Sequence, residues 1–259
     1  MATPTVWITG ASSGIGEAVA RGFAARGARV LLSARRESEL TRVAQALGER
    51  AHVLPLDLED TASLGDKAIR ALAEVGPIDI MVHNGGISQR SRAIDTRVEV
   101  DERIMRVNYL GAVALTKGLL PSMVERRRGH FVVISSLVGR IGTPLRSGYS
   151  ASKHALHGFF DSLRAEHHDD GLRVTLICPG FVRTAVSVNA LTGDGSPQGT
   201  MDTKTAGGIT PEACAARILR AVDRAEEEVN VGGWETIAVP VRRFFPRVYS
   251  RLIRNTKVT

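Results

Sequence analysis

Two rhythms of apolar and polar positions take turns along this chain. Short runs rich in Val, Ile and Leu stand at 5–9, 28–33, 51–56, 78–82, 130–135, 172–177 and 229–232. Between them, apolar residues recur at spacings of three and four near 15–26, 37–48, 61–74, 98–127, 150–168 and 210–225. The first rhythm predicts strands and the second amphipathic helices. Strands joined by helical crossovers imply a parallel sheet covered on both faces. The pattern therefore predicts the α/β class: a doubly wound Rossmann fold with a mostly parallel sheet of about seven strands, ligand at the carboxyl ends. No repeat or linker divides residues 1–259, so one domain is expected. One stretch breaks the rhythm. Residues 184–210, with Gly193-Asp194-Gly195-Ser196-Pro197 and Ala206-Gly207-Gly208, have the length and composition of a substrate lid or binding loop.

Composition narrows the function classes. The chain's 259 residues suit one large domain with a substantial core. Aromatic residues are too few for the interleaved basic and aromatic pattern of single-strand nucleic-acid binders. No apolar run reaches the ~20 residues of a membrane span. The first strand begins within five residues of Met1, which leaves no room for a signal peptide. Cys178 and Cys214 form no Cys-x-x-Cys pair and suit a reduced, cytoplasmic chain. The net charge of +7 is unevenly placed. Arg242, Arg243, Arg247, Arg251, Arg254 and Lys257 follow Pro240 with no acid, so the first 239 residues carry only +1.

The strand at 5–9 runs straight into Gly10-Ala11-Ser12-Ser13-Gly14-Ile15-Gly16, and a helix pattern follows at once. Strand, glycine turn and helix start form a phosphate-binding context. Backbone without Cβ lets a pyrophosphate approach, and the helix N-terminus offers free N–H groups and positive dipole. Further along, Tyr149-Ser150-Ala151-Ser152-Lys153 places a phenol and an ammonium one helical turn apart. A phenol titrates near pH ~10 in water, and a fixed cation beside it favours phenolate.

Thr9-Gly10-x-x-x-Gly14-x-Gly16 together with Tyr149-x-x-x-Lys153 resembles the short-chain dehydrogenases/reductases, over residues 5 to at least 230. Other landmarks follow in order: Asp57 after the third strand, His83-Asn84-Gly85-Gly86, Asn108, Ser136 thirteen residues before Tyr149, Pro179-Gly180 and Thr184. His83 and Gly85 depart from the family's Asn and Ala, at a turn that stabilises the central strand, and remove no reacting group. The stretches around Ile177-Cys178-Pro179-Gly180, Ser187-Val188-Asn189-Ala190 and Met201-Asp202-Thr203 look like the hydroxysteroid-dehydrogenase-like branch, which tends toward lipophilic carbonyls. The resemblance implies a dinucleotide held by Gly10, Ser12, Ser13, Gly14, Ile15, Gly16, Asp57, Leu58, Asn84, Gly85, Tyr149, Lys153, Pro179, Gly180, Val182 and Thr184. It also implies a homodimer or homotetramer, formed through the helices near 108–127 and 150–168.

The second strand ends Ser33-Ala34-Arg35-Arg36. An NAD site usually places a carboxylate where Ala34 stands. Guanidiniums at 35 and 36 suit a 2′-phosphate, with Ser33 as a further hydroxyl donor, so NADP(H) is expected over NAD(H). The chemistry expected is interconversion of a ketone or aldehyde with an alcohol. Tyr149 is the acid/base and Lys153 lowers its pKa; Ser136 donates to the reacting oxygen. The family places on Asn108 a water linked to Lys153. Ser135 is the rival of Ser136, and only one of two adjacent strand residues can face the site. An NAD-linked alcohol dehydrogenase and a dinucleotide-binding regulatory protein are the alternatives. No metal is expected: His154, His157, His167 and His168 lack cysteine or tight carboxylate companions and read as solvated helix positions. The lid's Val186, Val188, Leu191 and Met201 suit an apolar ketone or alcohol. The last segment, 240–259, sets Val241, Phe244, Phe245, Val248, Tyr249, Leu252 and Ile253 between arginines, interrupted by Pro246. It has three readings: packing on its own domain or a second subunit, peripheral contact with an anionic membrane, or a solvated end.

Overall fold

The computed structural model describes residues 3–254 and 256, so Lys257, the last cation of the tail, lies outside the described residues. At its centre is strand β1 (Thr5–Thr9), buried at every position. It is flanked by β2 (Arg29–Ser33) and β4 (Ile80–His83) in a seven-stranded sheet of order β3-β2-β1-β4-β5-β6-β7. The others are β3 (Ala51–Val53), β5 (Gly129–Ile134), β6 (Leu172–Pro179) and β7 (Glu228–Val231). All six pairings are parallel. The chain winds outward from β1 to β3, then returns across β1 to place β4, which makes β1/β4 the switch point where such sheets bind ligands.

Alternation within each strand builds two cores. Val6 and Ile8 face α1 (Gly14–Ala25), α2 (Glu37–Leu47) and α8 (Pro211–Asp223). Trp7, Leu31, Met81 and Phe131 face α3 (Leu64–Val75), α5 (Gly111–Glu125) and α6 (Ser147–Glu166). Full burial on both faces is why the strands are Val- and Ile-rich throughout.

Three differences from the sequence pattern have local causes. The strand expected at 51–56 has a regular ladder only to Val53; beyond it the N–H groups of Leu54 and Leu56 still donate to Leu32 O and Ala34 O, and Pro55 between them is tolerated because β3 is an edge strand. The helix expected over 98–127 is two helices, α4 (Val98–Met105) and α5, joined by a π-turn at Arg106–Leu110. The wider turn carries Asn108, an arrangement common where a side chain is presented to a site. Finally, 184–210 contains the short helix α7 (Thr203–Ala206), and Leu191 bridges Gln89 and Pro197. Beyond β7 the chain forms a 3-10 turn at Trp234–Ile237, then α9 (Ala238–Phe244) and α10 (Pro246–Arg254). Pro246 ends one helix and occupies the first position of the next, where its missing N–H costs nothing.

Candidate active site

A cavity of about 910 Å3 opens at the carboxyl ends of the strands, running from the glycine turn to the C-terminal helices. One end is built by close backbone approach. Gly10 has φ +65°, and a Cβ on it would meet Gly85 Cα at 2.9 Å. A Cβ on Gly16 would lie 2.2 Å from the Gly10 carbonyl oxygen. Gly16 therefore does not line the cavity; it lets α1 begin against the turn. Ser13 stands at the N-cap of α1 without a side-chain capping bond, and Ser12, Ser13, Gly14 and Ile15 line the wall with Gly10. Asn84 fastens the turn to β4: its Nδ2 donates to the carbonyls of Thr9 at 3.0 Å and Gly10 at 3.2 Å. Thr9 Oγ1 accepts from the N–H groups of Asn84 and Gly85, each at 3.1 Å. A cradle that any Cβ would fill, next to a helix N-terminus with an uncommitted hydroxyl, fits a dinucleotide pyrophosphate.

The two family departures at this turn are compensated. His83 is buried in the core, its Nε2 2.8 Å from Thr116 Oγ1 and its ring stacked on Phe131. At Gly85 a Cβ would meet Leu58 Cδ1 at 2.5 Å, so Leu58 fills the volume. Asp57, Leu58, Asn84, Gly85, Pro179, Gly180, Val182 and Thr184 all line the cavity. Gly180 donates to Val231 O at 2.7 Å, and Glu235 accepts from the Phe181 N–H at 3.3 Å, which holds the loop after β6.

Arg35 and Arg36 line the cavity beside Ala34 and are exposed. Neither is in an ion pair among the described residues, whereas nearby Arg42 is held by Glu17 and Glu39. Ser33 corrects the sequence reading. It is fully buried on the Trp7 side of the sheet, accepting from Trp7 Nε1 at 2.8 Å and donating to Leu54 O at 2.6 Å. Its hydroxyl is committed to the core and cannot serve a 2′-phosphate.

At the middle of the cavity stand Tyr149 and Lys153 on α6, with Ser136 just after β5. Ser136 Oγ donates to Pro179 O at 3.3 Å and is hydrogen-bonded to the Tyr149 hydroxyl. Ser135 faces the other way, toward His157 Nε2 at 3.0 Å and Lys153 O at 3.3 Å. His157 is thus buried against the sheet, not solvated as its spacing suggested, because that side of α6 packs on β5 and β6. Lys153 Nζ donates to Ile134 O at 2.8 Å and lies 5.8 Å from the Tyr149 ring centroid. Burial brings its ammonium down to about 8. Asn108 is locked by both ends of its amide: Nδ2 donates to Ile87 O and Ser152 Oγ, and Oδ1 accepts from Ile87 N–H. It stands behind the cavity wall, with Gly86 between it and Lys153 Nζ.

Burial holds the Tyr149 phenol above its ordinary value; the charges of Arg146 and Arg90 and the Ser136 hydrogen bond offset this only in part, and the lowering expected from Lys153 is not found. Sequence reasoning missed both arginines. Arg90 is buried, its Nε 2.9 Å and Nη2 2.5 Å from Asp202 Oδ2, while Nη1 donates to Ser88 Oγ at 2.8 Å. Arg146 Nη2 lies 3.7 Å from the same carboxylate oxygen. Asp202 comes from the lid, so a three-charge cluster ties 184–210 to the base of α6. Burial raises the Asp202 pKa, but hydrogen bonds from Arg90 and Gln198 overcome it and hold the carboxyl below its usual range. No spacing rule links residues 90, 146 and 202; an arginine three residues before Tyr149 was the one available signal.

Comparison with known proteins agrees with this geometry. The family model "short chain dehydrogenase" matches residues 4–194. The chain is 53% identical over 232 residues to the dehydrogenase/reductase SDR family protein 7-like of Anopheles gambiae, covering 86% of this chain and 73% of that protein. It is 45% identical over 254 residues to dehydrogenase/reductase SDR family member 7B of Xenopus tropicalis, covering 94% and 82%. Among solved structures, a short-chain dehydrogenase from Streptomyces avermitilis superposes with a TM-score of 0.85 at 28% identity over 99% of each chain. A serine dehydrogenase solved in its closed form with NADP+ gives 0.79 at 29% identity, over 88% of this chain and 94% of that one. A seven-stranded parallel sheet, a glycine turn at its switch point and a Tyr-x-x-x-Lys pair facing one cavity thus coincide with a family match over most of the sequence: the chain belongs to the short-chain dehydrogenases/reductases.

Proposed function

We propose that this chain is an NADP(H)-dependent oxidoreductase that interconverts a ketone or aldehyde and an alcohol on a lipophilic substrate, with Tyr149 as acid/base. One observation carries the reading: Tyr149, Ser136 and the glycine turn line the same cavity. The bound nicotinamide supplies or accepts hydride at its C4. Gly10, Ser12, Ser13 and Gly14 hold its pyrophosphate, and Lys153 its ribose. Arg35 and Arg36, uncommitted among the described residues, receive the 2′-phosphate. Ser136 turns its hydroxyl from Pro179 O to the carbonyl oxygen, and Tyr149 passes its proton there during reduction. Arg146 and Arg90 stabilise the phenolate that results and the negative charge that grows on the oxygen. Asn108 positions Lys153 from behind the wall. Val186, Leu191, Val241 and Ile253 give the far end its apolar character.

Two further features belong to this reading. The outer surfaces of 108–127 and 150–168 form the contacts of a homodimer or homotetramer. Cys178 and Cys214, free and buried, suit a reducing compartment such as the cytoplasm. The test is a panel of apolar ketones and alcohols followed by nicotinamide absorbance, with NADPH and NADH saturation curves. Tyr149→Phe is expected to lower kcat by at least about a thousandfold and leave NADPH affinity within twofold. Substantial turnover in that variant removes the acid/base assignment, and equal or better turnover with NADH removes the cofactor assignment.

A further inference from the structure

The segment that closes the far end of the cavity has two unlike sides. Its inner side is tied to the domain: Tyr249 is buried, its hydroxyl donates to Gly142 O at 2.5 Å, and Val241 and Ile253 line the cavity. Its outer side carries Phe244, Phe245 and Val248, and Trp234, Ile237 and Leu252 stand at the cavity rim, both lining it and open to solvent; all six are between 49% and 77% exposed. Half of the twelve large hydrophobic side chains exposed among the described residues fall within these 19 positions. Two more, Val186 and Met201, stand on the lid. A concentration of this kind marks a surface that something covers.

Charge says what covers it. Arg242, Arg243, Arg247, Arg251 and Arg254 are all exposed, and none is in an ion pair among the described residues. No acid follows Glu235. A second copy of the chain docked by the same face would set one arginine row against another. A nucleic acid would satisfy the guanidiniums and leave the phenylalanines in water. An anionic bilayer satisfies both, with guanidiniums among the headgroups and Phe244, Phe245, Val248 and Leu252 at the acyl boundary.

We infer that the outer face of Trp234–Arg254 is a docking surface for an anionic membrane, and that it seats the substrate end of the cavity against the bilayer. The delivery half of the inference rests on the lipophilic substrate proposed above. With Val241 and Ile253 lining the cavity, Leu252 at its rim and Val248 facing outward, the wall of the site is also the contact with lipid. A lipophilic carbonyl then passes from acyl chains into the cavity without crossing water. No helix among the described residues is long and apolar enough to span, so this contact is peripheral.

The chain carries its own probe. Its two tryptophans are Trp7, fully buried, and Trp234, 77% exposed. The full chain is sedimented with phosphatidylcholine vesicles, with and without phosphatidylserine, while tryptophan emission is followed. Partitioning onto the anionic vesicles alone is expected, with a blue shift that Trp234→Phe abolishes. At about fivefold per basic residue, Arg243→Glu with Arg247→Glu should weaken partitioning at least tenfold. Phe244→Ser with Phe245→Ser should weaken it similarly. Both pairs are exposed, and their thermal midpoints should stay at the wild-type value. Absence of partitioning, or equal partitioning of wild type and both variants, overturns the inference. So does a self-association that Phe244→Ser disperses while vesicles bind nothing, which would assign the face to a second copy. Partitioning is read without turnover, so failure of the carbonyl panel and failure of docking are distinct results.

Discussion

The two ends of the cavity are made differently. The dinucleotide end is made by backbone: Gly10 and Gly16 bring main chain against main chain, and Asn84 and Thr9 lock the turn through hydrogen bonds within a few residues of β1 and β4. The substrate end is made by side chains brought from distant segments: Arg90 after β4, Arg146 before α6, Asp202 on the lid and Tyr249 on α10. Backbone sites tolerate no added atoms and accept one ligand shape. Side-chain sites can be rebuilt by substitution.

The sharpest way to break this contrast is at the backbone. Gly16→Ala places a methyl 2.2 Å from a carbonyl oxygen that is itself fixed by Asn84, so the turn must shift. A loss of NADPH affinity of at least about a hundredfold is expected, with a fold that survives in circular dichroism. Affinity within threefold of wild type would show that the cradle is looser than its geometry implies. At the outer rim of the same end, side chains do the selecting. Arg35→Ala with Arg36→Ala removes two charge-assisted contacts, each worth ~1.5–3 kcal/mol, so KM for NADPH should rise about a hundredfold or more. KM for NADH should stay put. Parallel changes for both cofactors would mean that the guanidiniums do not read the 2′-phosphate.

The same contrast explains what the sequence could tell. Strand and helix periods, the glycine turn, Tyr149-x-x-x-Lys153 and the choice of Ser136 over Ser135 are local patterns, readable within about twenty residues. Ser33 was misread because chain position alone does not say that Trp7 Nε1 takes its hydroxyl from across the sheet. The π-turn that presents Asn108 looked like continuous helix, since one extra residue in a turn hardly disturbs the apolar period. The Arg90–Asp202–Arg146 cluster was invisible, because 112 residues separate Arg90 from its carboxylate. His157 looked solvated until the packing of α6 on the sheet was known.

That cluster gives the next test. Asp202→Asn removes the carboxylate that Arg90 and Arg146 share and with it the ion pair that holds the lid to residue 90. Breaking a buried pair from one side typically costs ~3–5 kcal/mol, part of which lid opening relieves. KM for the carbonyl should rise about tenfold while KM for NADPH stays within twofold. Acid should reproduce the effect. The folded pKa of Asp202 is held below 3.8, so the stability it contributes is full above about pH 4 and is lost as pH falls through the folded value. A variant that raised both KM values equally would show that the two ends are not independently built.

His83 offers the smallest and cleanest measurement, because it sits at the cofactor end yet acts through titration. Burial pulls its pKa from 6.5 to about 3, and it is hydrogen-bonded to Thr116 without an acidic partner. Below pH 6.5 the unfolded chain takes up a proton that the folded chain refuses. Stability is therefore full above that pH and falls as pH drops toward 3. One such group contributes a slope of about 1.4 kcal/mol per pH unit in the middle of the window. That is roughly 3–5 °C in Tm for a domain of this size. His130 and His157, each lowered to about 4, add slopes of the same sign. His83→Asn removes one contribution: the Tm difference from wild type should be constant above about pH 7 and shift by a few degrees in the variant's favour by about pH 5. Any packing defect from the smaller amide is an offset independent of pH, so the slope is the quantity to read. Parallel Tm curves would mean that the turn beside Asn84 opens enough to let His83 protonate in the folded state, and the backbone end would then be less rigid than the cradle of Gly10 and Gly16 requires.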